Sequence, residues 1–479
     1  MRNLDKLILC VPAKVRDALE IINNNERGVC FVVDETKRLV GVVTDGDIRR
    51  SLLKGDTVNS LIACCTNTNF VYANILDKTS YIRSLFSRDV KIVPLVDEDG
   101  KLVAYADPKT NYRIPILEPY LNGNESLYVN DCLSTSWISS QGAYVRKFES
   151  FFSDLHCSRH ALAVSNGTVA LHLALLALGI SQGDEVILPD LTFAATINSV
   201  IYTGATPVLC DIEKSSLCID PFEAEALITE RTKAIILVHL YGQSCDIAAF
   251  QKLALKYNLK IIEDCAESLG STFNHRPHGT FFDVACFSFF GNKTITTGEG
   301  GMVLFKQQEA YDLAKQLRDH GMNPDKRYWH DIIGYNYRMT NIQAAIGLAQ
   351  LEKLSVIVNR KVSIAHAYSS LLHDVSEIVQ LPTGLPDSLH SQWLYTVLMS
   401  SSVDIDLIIK RMLAYGVELR RIFYPLHIMP IYSNYSGRSS LLVSTECSRS
   451  GVSLPSSPSL DFEDADHIVN CLKLIFNEA

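Results

Sequence analysis

The stretch FSFFGNKTITTGEGGMV, Phe287 to Val303, sets one lysine, Lys293, between a strand-like apolar run (Ala285 to Phe290) and three glycines, Gly298, Gly300 and Gly301. Lysine avoids such places, because its charge wants water and glycine-rich turns bring backbone close around whatever they enclose. One chemistry asks for this arrangement. An amine held in a tight pocket, where burial disfavours its charged form, is free to form a Schiff base. A solvated lysine in an ordinary turn explains a single lysine better, so the surrounding chain decides.

Upstream of that stretch, from His160 onward, short β-branched runs alternate with helical stretches. The strand candidates are Ala161–Val164, Val186–Leu188, Pro207–Leu209, Ala234–Val238, Lys260–Glu263 and Ala285–Phe289, with helices over Thr168–Leu178, Ala194–Tyr202, Phe222–Ile228 and Ile247–Tyr257. This alternation predicts βαβ units and a mostly parallel α/β sheet, with ligands at the carboxyl ends of its strands.

Three strand ends carry further chemistry. SNGTVALHLALLALG (Ser165 to Gly179) reads as strand end, Ser-Asn-Gly-Thr, then helix. Gly167 lets backbone approach a ligand and Thr168 can cap the helix, whose N-terminal N–H groups suit a phosphate. Asn-Gly-Thr also occurs simply as a helix cap. No Walker-type or dinucleotide glycine fingerprint is present. IIEDCAESLG (Ile261 to Gly270) puts two carboxylates directly after an apolar strand. A buried Asp264 needs a cationic partner or must be neutral; a protonated pyridine nitrogen is one such partner, and a helix N-cap is the competing reading. In DLTFAATINSV (Asp190 to Val200), Phe193 falls just past a strand end, where its face could stack on a planar cofactor or simply join the core.

Composition bounds the rest. The 479 residues exceed one ordinary domain; 47% hydrophobic and 20% charged residues describe a globular chain, and a net charge of −9 argues against nucleic acid as the main partner. Thirteen cysteines, an odd count with no C-x-x-C pair, indicate neither a disulfide framework nor a zinc site, and no metal is expected. Reduced thiols, and an apolar start too short for a signal peptide or a membrane span, lead to the expectation of a cytoplasmic protein without membrane insertion.

Residues 1 to about 107 hold an internal repeat. CFVVDETKRLVGVVTD (Cys30 to Asp45) aligns with VPLVDEDGKLVAYAD (Val93 to Asp107), each a strand, turn and strand preceded by a helical stretch (Ala13 to Asn23; Asp77 to Phe86). This resembles a tandem cystathionine-β-synthase-type (CBS) pair of α+β form, a module that often binds adenosine-type nucleotides. The likeness, strongest in GVVTDGDIRR (Gly41 to Arg50), implies phosphate and ribose contacts at Thr44 and Asp47. The second copy departs, with Ala104 for the glycine and Asp107 for the threonine, so at most one adenine nucleotide is expected. A purely structural appendage is the other reading. PKTNYR (Pro108 to Arg113) reads as a linker. Beyond Val303 the sequence predicts a helix over Gln308–Asp319, one long helical stretch from Asn341 to about Leu372, and a smaller α+β unit at the C-terminus.

From Ile114 onward the chain resembles the DegT/StrS-type sugar aminotransferases, fold-type I enzymes of pyridoxal 5'-phosphate. The likeness is carried in order by SNGTVALHLAL, GDEVILPDLTFAATINSV, HLYGQSCDI, IIEDCAESLG, FSFFGNKTITTGEGGMV, GYNYRMTNIQAAIG and FYPLHIMP. With the CBS pair over residues 1–108, it implies a large cofactor-binding domain over residues 114–375 and a small domain over 376–479. It implies that Lys293 is the Schiff-base lysine and proton shuttle, that Asp264 pairs with the pyridinium nitrogen and that Phe193 stacks on the ring. Gly167, Thr168 and Ser288 would hold the phosphate, joined by Asn336 of a neighbouring subunit in a homodimer with shared active sites. Glu267 stands where many members have a glutamine bonding the phenolic oxygen, a bond an ionised carboxylate cannot donate. Arg420, Tyr424 and His427 match a segment near the nucleotide-sugar site. FFGNKTITTGEGGM and SLPSSPSL (Ser453 to Leu460) look most like the branch that moves an amino group from glutamate to carbon 4 of GDP-4-keto-6-deoxymannose for surface polysaccharide (O-antigen) synthesis. A dehydratase branch has histidine in place of the lysine, so Lys293 speaks against it. A UDP- or dTDP-linked keto-sugar, a non-catalytic nucleotide sensor and a nicotinamide-dependent sugar oxidoreductase are the competing readings, the last opposed by the missing glycine fingerprint.

Overall fold

The computed structural model describes residues 4–25, 27–77, 79–87, 90–107, 113–157, 159–435 and 440–477. The expected linker falls mostly on residues 108–112, outside that set. The chain forms two compact units: Met1–Pro115 with Asp406–Leu419 and Asp461–Ala479, and Ile116–Ile405 with Arg420–Leu460.

The larger unit is built on seven strands: β1 (His160–Val164), β2 (Glu185–Pro189), β3 (Thr206–Cys210), β4 (Thr232–Val238), β5 (Lys260–Asp264), β6 (Val284–Ser288) and β7 (Gly301–Phe305). They are ordered β1-β7-β6-β5-β4-β2-β3. The predicted strands are all present, each shifted or extended by a residue or two. Neighbours pair in parallel except at β7, which is antiparallel to β6 and β1. The segment carrying Lys293 and its glycines joins Ser288 to Gly301 with no crossover helix, and the returning strand lies antiparallel beside β6. The carboxyl ends of β1, β2, β5 and β6 therefore share one edge, and Ser288 is level with Gly301, itself level with Val164.

Helices cover both faces because the strands are apolar on both sides. On one face Phe148 and Phe152 of the helix Ala143–Leu155 pack with Ala344 and Ala345 of Asn341–Leu351 over Phe287 and Phe289. On the other, Leu171 and Leu175 of Gly167–Ala177 and Phe250 of Ile247–Tyr257 close the core. The long helix expected from Asn341 to Leu372 is two, Asn341–Leu351 and Leu354–Leu372. Periodicity runs through the break, where the Lys353 backbone leaves the helical region (φ −117°, ψ 16°) and its side chain reaches the carbonyl of Tyr120 (2.5 Å) and the carboxylate of Glu125 (2.6 Å). A four-stranded antiparallel sheet, Ile378–Gln380, Tyr395–Met399, Gly451–Leu454 and Arg420–Arg421 in that order, completes this unit.

In the smaller unit each repeat forms a three-stranded sheet, Ile8–Cys10, Val29–Val33 and Leu39–Thr44 in the first, Ala73–Asn74, Val93–Val96 and Leu102–Ala106 in the second. The turns pair crosswise, with Leu39 N–H on the Gly100 carbonyl (3.1 Å) and Leu102 N–H on that of Lys37 (3.0 Å). Phe31 packs with Leu102 and Tyr105 between the copies. No helix among the described residues is long and apolar enough to cross a membrane.

Candidate active site

Asp264, the last residue of β5, is 4% exposed. Its Oδ2 accepts from the Thr196 hydroxyl and its Oδ1 from the Ala266 N–H, both at 3.1 Å. Burial pushes this carboxyl above the usual carboxylate range, opposed by the Ala266 N–H, the charge of Lys293 and Thr196. A buried acid so placed is suited to a cationic partner that would restore its ionised form.

Glu267 lies in the turn after β5. Its Oε2 accepts the N–H of Tyr241 (2.9 Å) and its Oε1 accepts from Nζ of Lys293 (3.2 Å). Burial raises this carboxyl too, helped by the charge of Asp264, while Lys293 and the Tyr241 N–H lower it. Both contacts are donated to Glu267, so the ionised form satisfies them without the donor role that a glutamine could play. Tyr241 takes a left-handed backbone (φ 55°), strained for a residue with a side chain, and that turn aims its N–H at Glu267.

Lys293 stands in the turn between β6 and β7, its side chain 13% exposed and its N–H on the Phe290 carbonyl (2.9 Å). The β6 end meets the start of the helix Gly167–Ala177 so closely that a Cβ on Gly167 would lie 2.8 Å from Cβ of Ser288. A Cβ on Gly301 would lie 2.6 Å from the carbonyl oxygen of Asn166. These glycines bring a helix N-terminus, with N–H groups the helix cannot pair, against the Ser288 hydroxyl. The cap is Asn166, whose Oδ1 accepts from Val169 N–H (3.0 Å), rather than Thr168, the second helical residue. Asparagine reaches the N3 amide from one residue before the helix, where a residue already inside it cannot. Phe193 precedes the helix Ala194–Tyr202 and is 58% exposed, its ring 5.9 Å from that of Phe423.

Asn336 bridges to Asp319 through backbone. Arg420 pairs with Ser453 in the small sheet and Tyr424 is exposed. His427 is more constrained: its Nδ1 lies 2.7 Å from Oδ2 of Asp190, and its backbone N–H bonds Oδ1 (2.9 Å). Asp190 directly follows β2, is fully buried, and also accepts from Ser444 Oγ (2.6 Å). Sequence reasoning passed over Asp190, Thr196 and Tyr241 as functional positions. Of these, Thr196 carries a local signal, standing one helical turn after Phe193.

Behind β5, His239, Glu263 and Cys265 gather with ligand-type atoms within 4.8 Å of one another. Glu263 accepts backbone N–H groups of Gly279 (2.7 Å), Phe281 and Phe282 (both 3.1 Å). His239 Nδ1 accepts from Cys245 N–H (3.2 Å), which puts its proton on Nε2, 3.5 Å from Glu263. That tautomer has no Nε2 lone pair for a metal.

In the smaller unit Thr44 and Asp47 hold each other. They form a capping box for the helix Asp45–Leu53, with the Thr44 hydroxyl donating to Asp47 Oδ2 (2.6 Å), and Arg50 pairs with Asp47 Oδ1 (2.6 Å). Asp107, where the second copy lacks the threonine, pairs with Arg27 (2.6 Å).

A shielded amine beside one carboxylate, a second buried acid at a strand end and a glycine-lined helix N-terminus fit an aldehyde cofactor with a basic ring nitrogen and a phosphate. The fold and site are those of a pyridoxal-phosphate-dependent aminotransferase. The chain belongs to the DegT/DnrJ/EryC1/StrS aminotransferase family, whose model matches residues 119–473, and residues 7–54 match the CBS domain. It is 43% identical to a GDP-perosamine synthase of Vibrio cholerae, covering 76% of this chain and 99% of that protein. It is 44% identical to one of Escherichia coli O157:H7, with the same coverage of both. Among solved structures, Spr1654 of Streptococcus pneumoniae in its PLP form superposes with a TM-score of 0.72 at 28% identity, over 77% of this chain and 99% of that one.

Proposed function

We propose that this chain transfers the amino group of glutamate to carbon 4 of a nucleotide-linked 4-keto-6-deoxy sugar, GDP-4-keto-6-deoxymannose, to give GDP-perosamine for surface polysaccharide (O-antigen) synthesis. The observation that carries the reading is the part-buried pairing of Lys293 with Glu267 beside Asp264, in a chain 43% and 44% identical to two GDP-perosamine synthases. When bound, the cofactor would supply an electron sink and carry the amino group from one half-reaction to the other.

The residues divide the work. Lys293 would hold the cofactor through Nζ, and the freed Nζ would take the proton from glutamate's α-carbon and later return one to carbon 4 of the sugar. Glu267, 3.2 Å from Nζ, holds the resulting ammonium. Asp264 would pair with the ring nitrogen and keep it protonated, and Thr196 orients that carboxylate. The N–H groups of Gly167 and Thr168 with the Ser288 hydroxyl would take the phosphate, and Phe193 would cover the ring. Arg420, Tyr424 and the Asp190-oriented His427 would face the nucleotide sugar.

The domain division at residues 108–114 and 375–376 belongs to the same reading. So does a cytoplasmic homodimer in which Asn336 completes the neighbour's phosphate site. Trp137, Tyr328, Trp329 and Ile333 on the larger unit are exposed large side chains of the kind that a homodimer contact would cover. An adenine nucleotide at the CBS repeat would meet Thr44 and Asp47 already paired in the capping box, and titration with AMP tests whether it binds there.

The test is the absorption spectrum of purified protein before and after glutamate, with GDP-4-keto-6-deoxymannose added last and the product weighed. Glutamate should change the spectrum and the sugar restore it, with GDP-perosamine formed. Lys293→Ala should abolish turnover and the borohydride-fixed cofactor; full activity in that variant ends the assignment. Turnover of UDP- or dTDP-linked keto-sugars in preference would replace the substrate only.

A further inference from the structure

Trp393 lies outside every motif that carries the family likeness, 100 residues along the chain from Lys293. It is 4% exposed, and three contacts join it to the lysine and its counter-ion. The face of its indole lies 3.9 Å, centroid to Nζ, from the Lys293 amine. Its Nε1–H donates to the carbonyl of Asn292 over 2.6 Å, fixing the peptide unit immediately before Lys293. Its ring lies parallel to that of Tyr241, tilted by 7° with centroids 5.9 Å apart, and the Tyr241 N–H is what holds Glu267.

Trp393 is itself anchored. Its carbonyl accepts from Nζ of Lys361 (3.1 Å), whose second bond goes to the carbonyl of Ser456 (2.6 Å). Lys361 is 2% exposed and sits on the helix Leu354–Leu372. The indole is thus fixed at its backbone, at its ring nitrogen and by stacking, so its face has one place to be.

A free ammonium in a water-poor site needs more than one carboxylate to replace its lost hydration, and an aromatic face supplies electrostatic attraction without a second titrating group. We propose that Trp393 is a positioning residue for the Lys293 amine: its ring face and Glu267 together form the seat of the free ammonium, and its Nε1–H pins the turn that carries it. This rests on reading Lys293 as the cofactor-linked base. The seat keeps the released amine at one spot between its two proton transfers, so it bears on turnover rather than on substrate capture.

Two measurements test this. In the protein without cofactor, with Trp137 and Trp329 replaced by phenylalanine, Trp393 is the remaining tryptophan. Lys293→Met should change its emission, since the ammonium leaves its face; unchanged emission overturns the contact. In the holoenzyme, Trp393→Leu should lower kcat about 10-fold or more with both KM values within about 3-fold, because only the step after capture loses its support. Trp393→Phe keeps a ring and should recover most of that loss. Equal losses in the two variants, or losses confined to KM, overturn the proposal, and the emission test stands should Trp393→Leu fail to fold. Cofactor still fixed by borohydride in Lys293→Ala would instead defeat the reading of Lys293. Its absence there, with a wild-type Trp393→Leu, defeats the present inference alone.

Discussion

Nζ of Lys293 and the backbone N–H of Tyr241 meet on one carboxylate, that of Glu267, at 3.2 and 2.9 Å. A single buried charge therefore fixes both the amine and the strained turn of Tyr241, where the family often has an amide. Glu267→Gln keeps an acceptor for Tyr241 but removes the counter-ion of Lys293. We expect kcat to fall about 10- to 100-fold with cofactor still bound, the scale of losing one charge-assisted hydrogen bond. Burial raises the Glu267 carboxyl, so its ionised form is lost as pH falls through that raised value. The wild-type acid limb of kcat should accordingly shift or vanish in Glu267→Gln; an identical limb would remove Glu267 from the chemistry.

Asp264 predicts opposite signs for activity and stability. Its folded carboxyl titrates above the ordinary value. The cofactor-free protein thus gains stability from the protonated acid at low pH and loses it as pH rises through the folded value. Asp264→Asn carries no such charge, so at neutral pH its cofactor-free melting temperature should equal or exceed the wild type's, while kcat falls by about 100-fold or more. Melting curves and steady-state rates of the same preparation check both; a strongly destabilised Asp264→Asn would show that the ionised carboxylate supports the fold.

Gly167 is required by space. A Cβ there would lie 2.8 Å from Cβ of Ser288, an atom without freedom to swing away. Gly167→Ala should cost about 1–3 kcal/mol as overpacking and weaken cofactor binding by about 10-fold or more. Adding Ser288→Gly should restore the melting temperature but not the affinity, because the hydroxyl is lost as well. Equilibrium dialysis against pyridoxal phosphate separates the two.

Lys361 makes stability depend on pH in the alkaline range. Burial pushes its amine down to about 7, against 10.5 for an ordinary lysine. Between those values the unfolded chain binds the proton and the folded one does not, so stability rises with pH by up to ~1.4 kcal/mol per pH unit, and the gain is lost as pH falls to 7. Lys361→Met, which carries no proton, should flatten that slope in urea melts at pH 7 to 10. A slope unchanged by the substitution would place the titrating group elsewhere.

Thr44 is expected to act first as a helix cap. Thr44→Ala should cost about 1 kcal/mol in the CBS unit, visible as a lower melting temperature. Loss of exchange protection at the Thr44 and Asp47 N–H groups when AMP binds would show that the capping box opens for a ligand.

The alternation of strands and helices, the lysine before its glycines and the acid closing an apolar strand were legible in the sequence, because each is local: period, turn chemistry and burial act within a few residues. What lay beyond it was partnership. Nothing near Lys293 announces Trp393, nothing near His427 announces Asp190, and the pattern through Lys353 is helical although the helix breaks there, beside Glu125 and Tyr120. The cap moved from Thr168 to Asn166 for the same kind of reason, since which residue is first in a helix is settled by where the preceding strand ends. Contacts between segments a hundred or more residues apart depend on packing summed over the whole sheet and its helices. No short window of sequence contains that sum, and only the folded chain does.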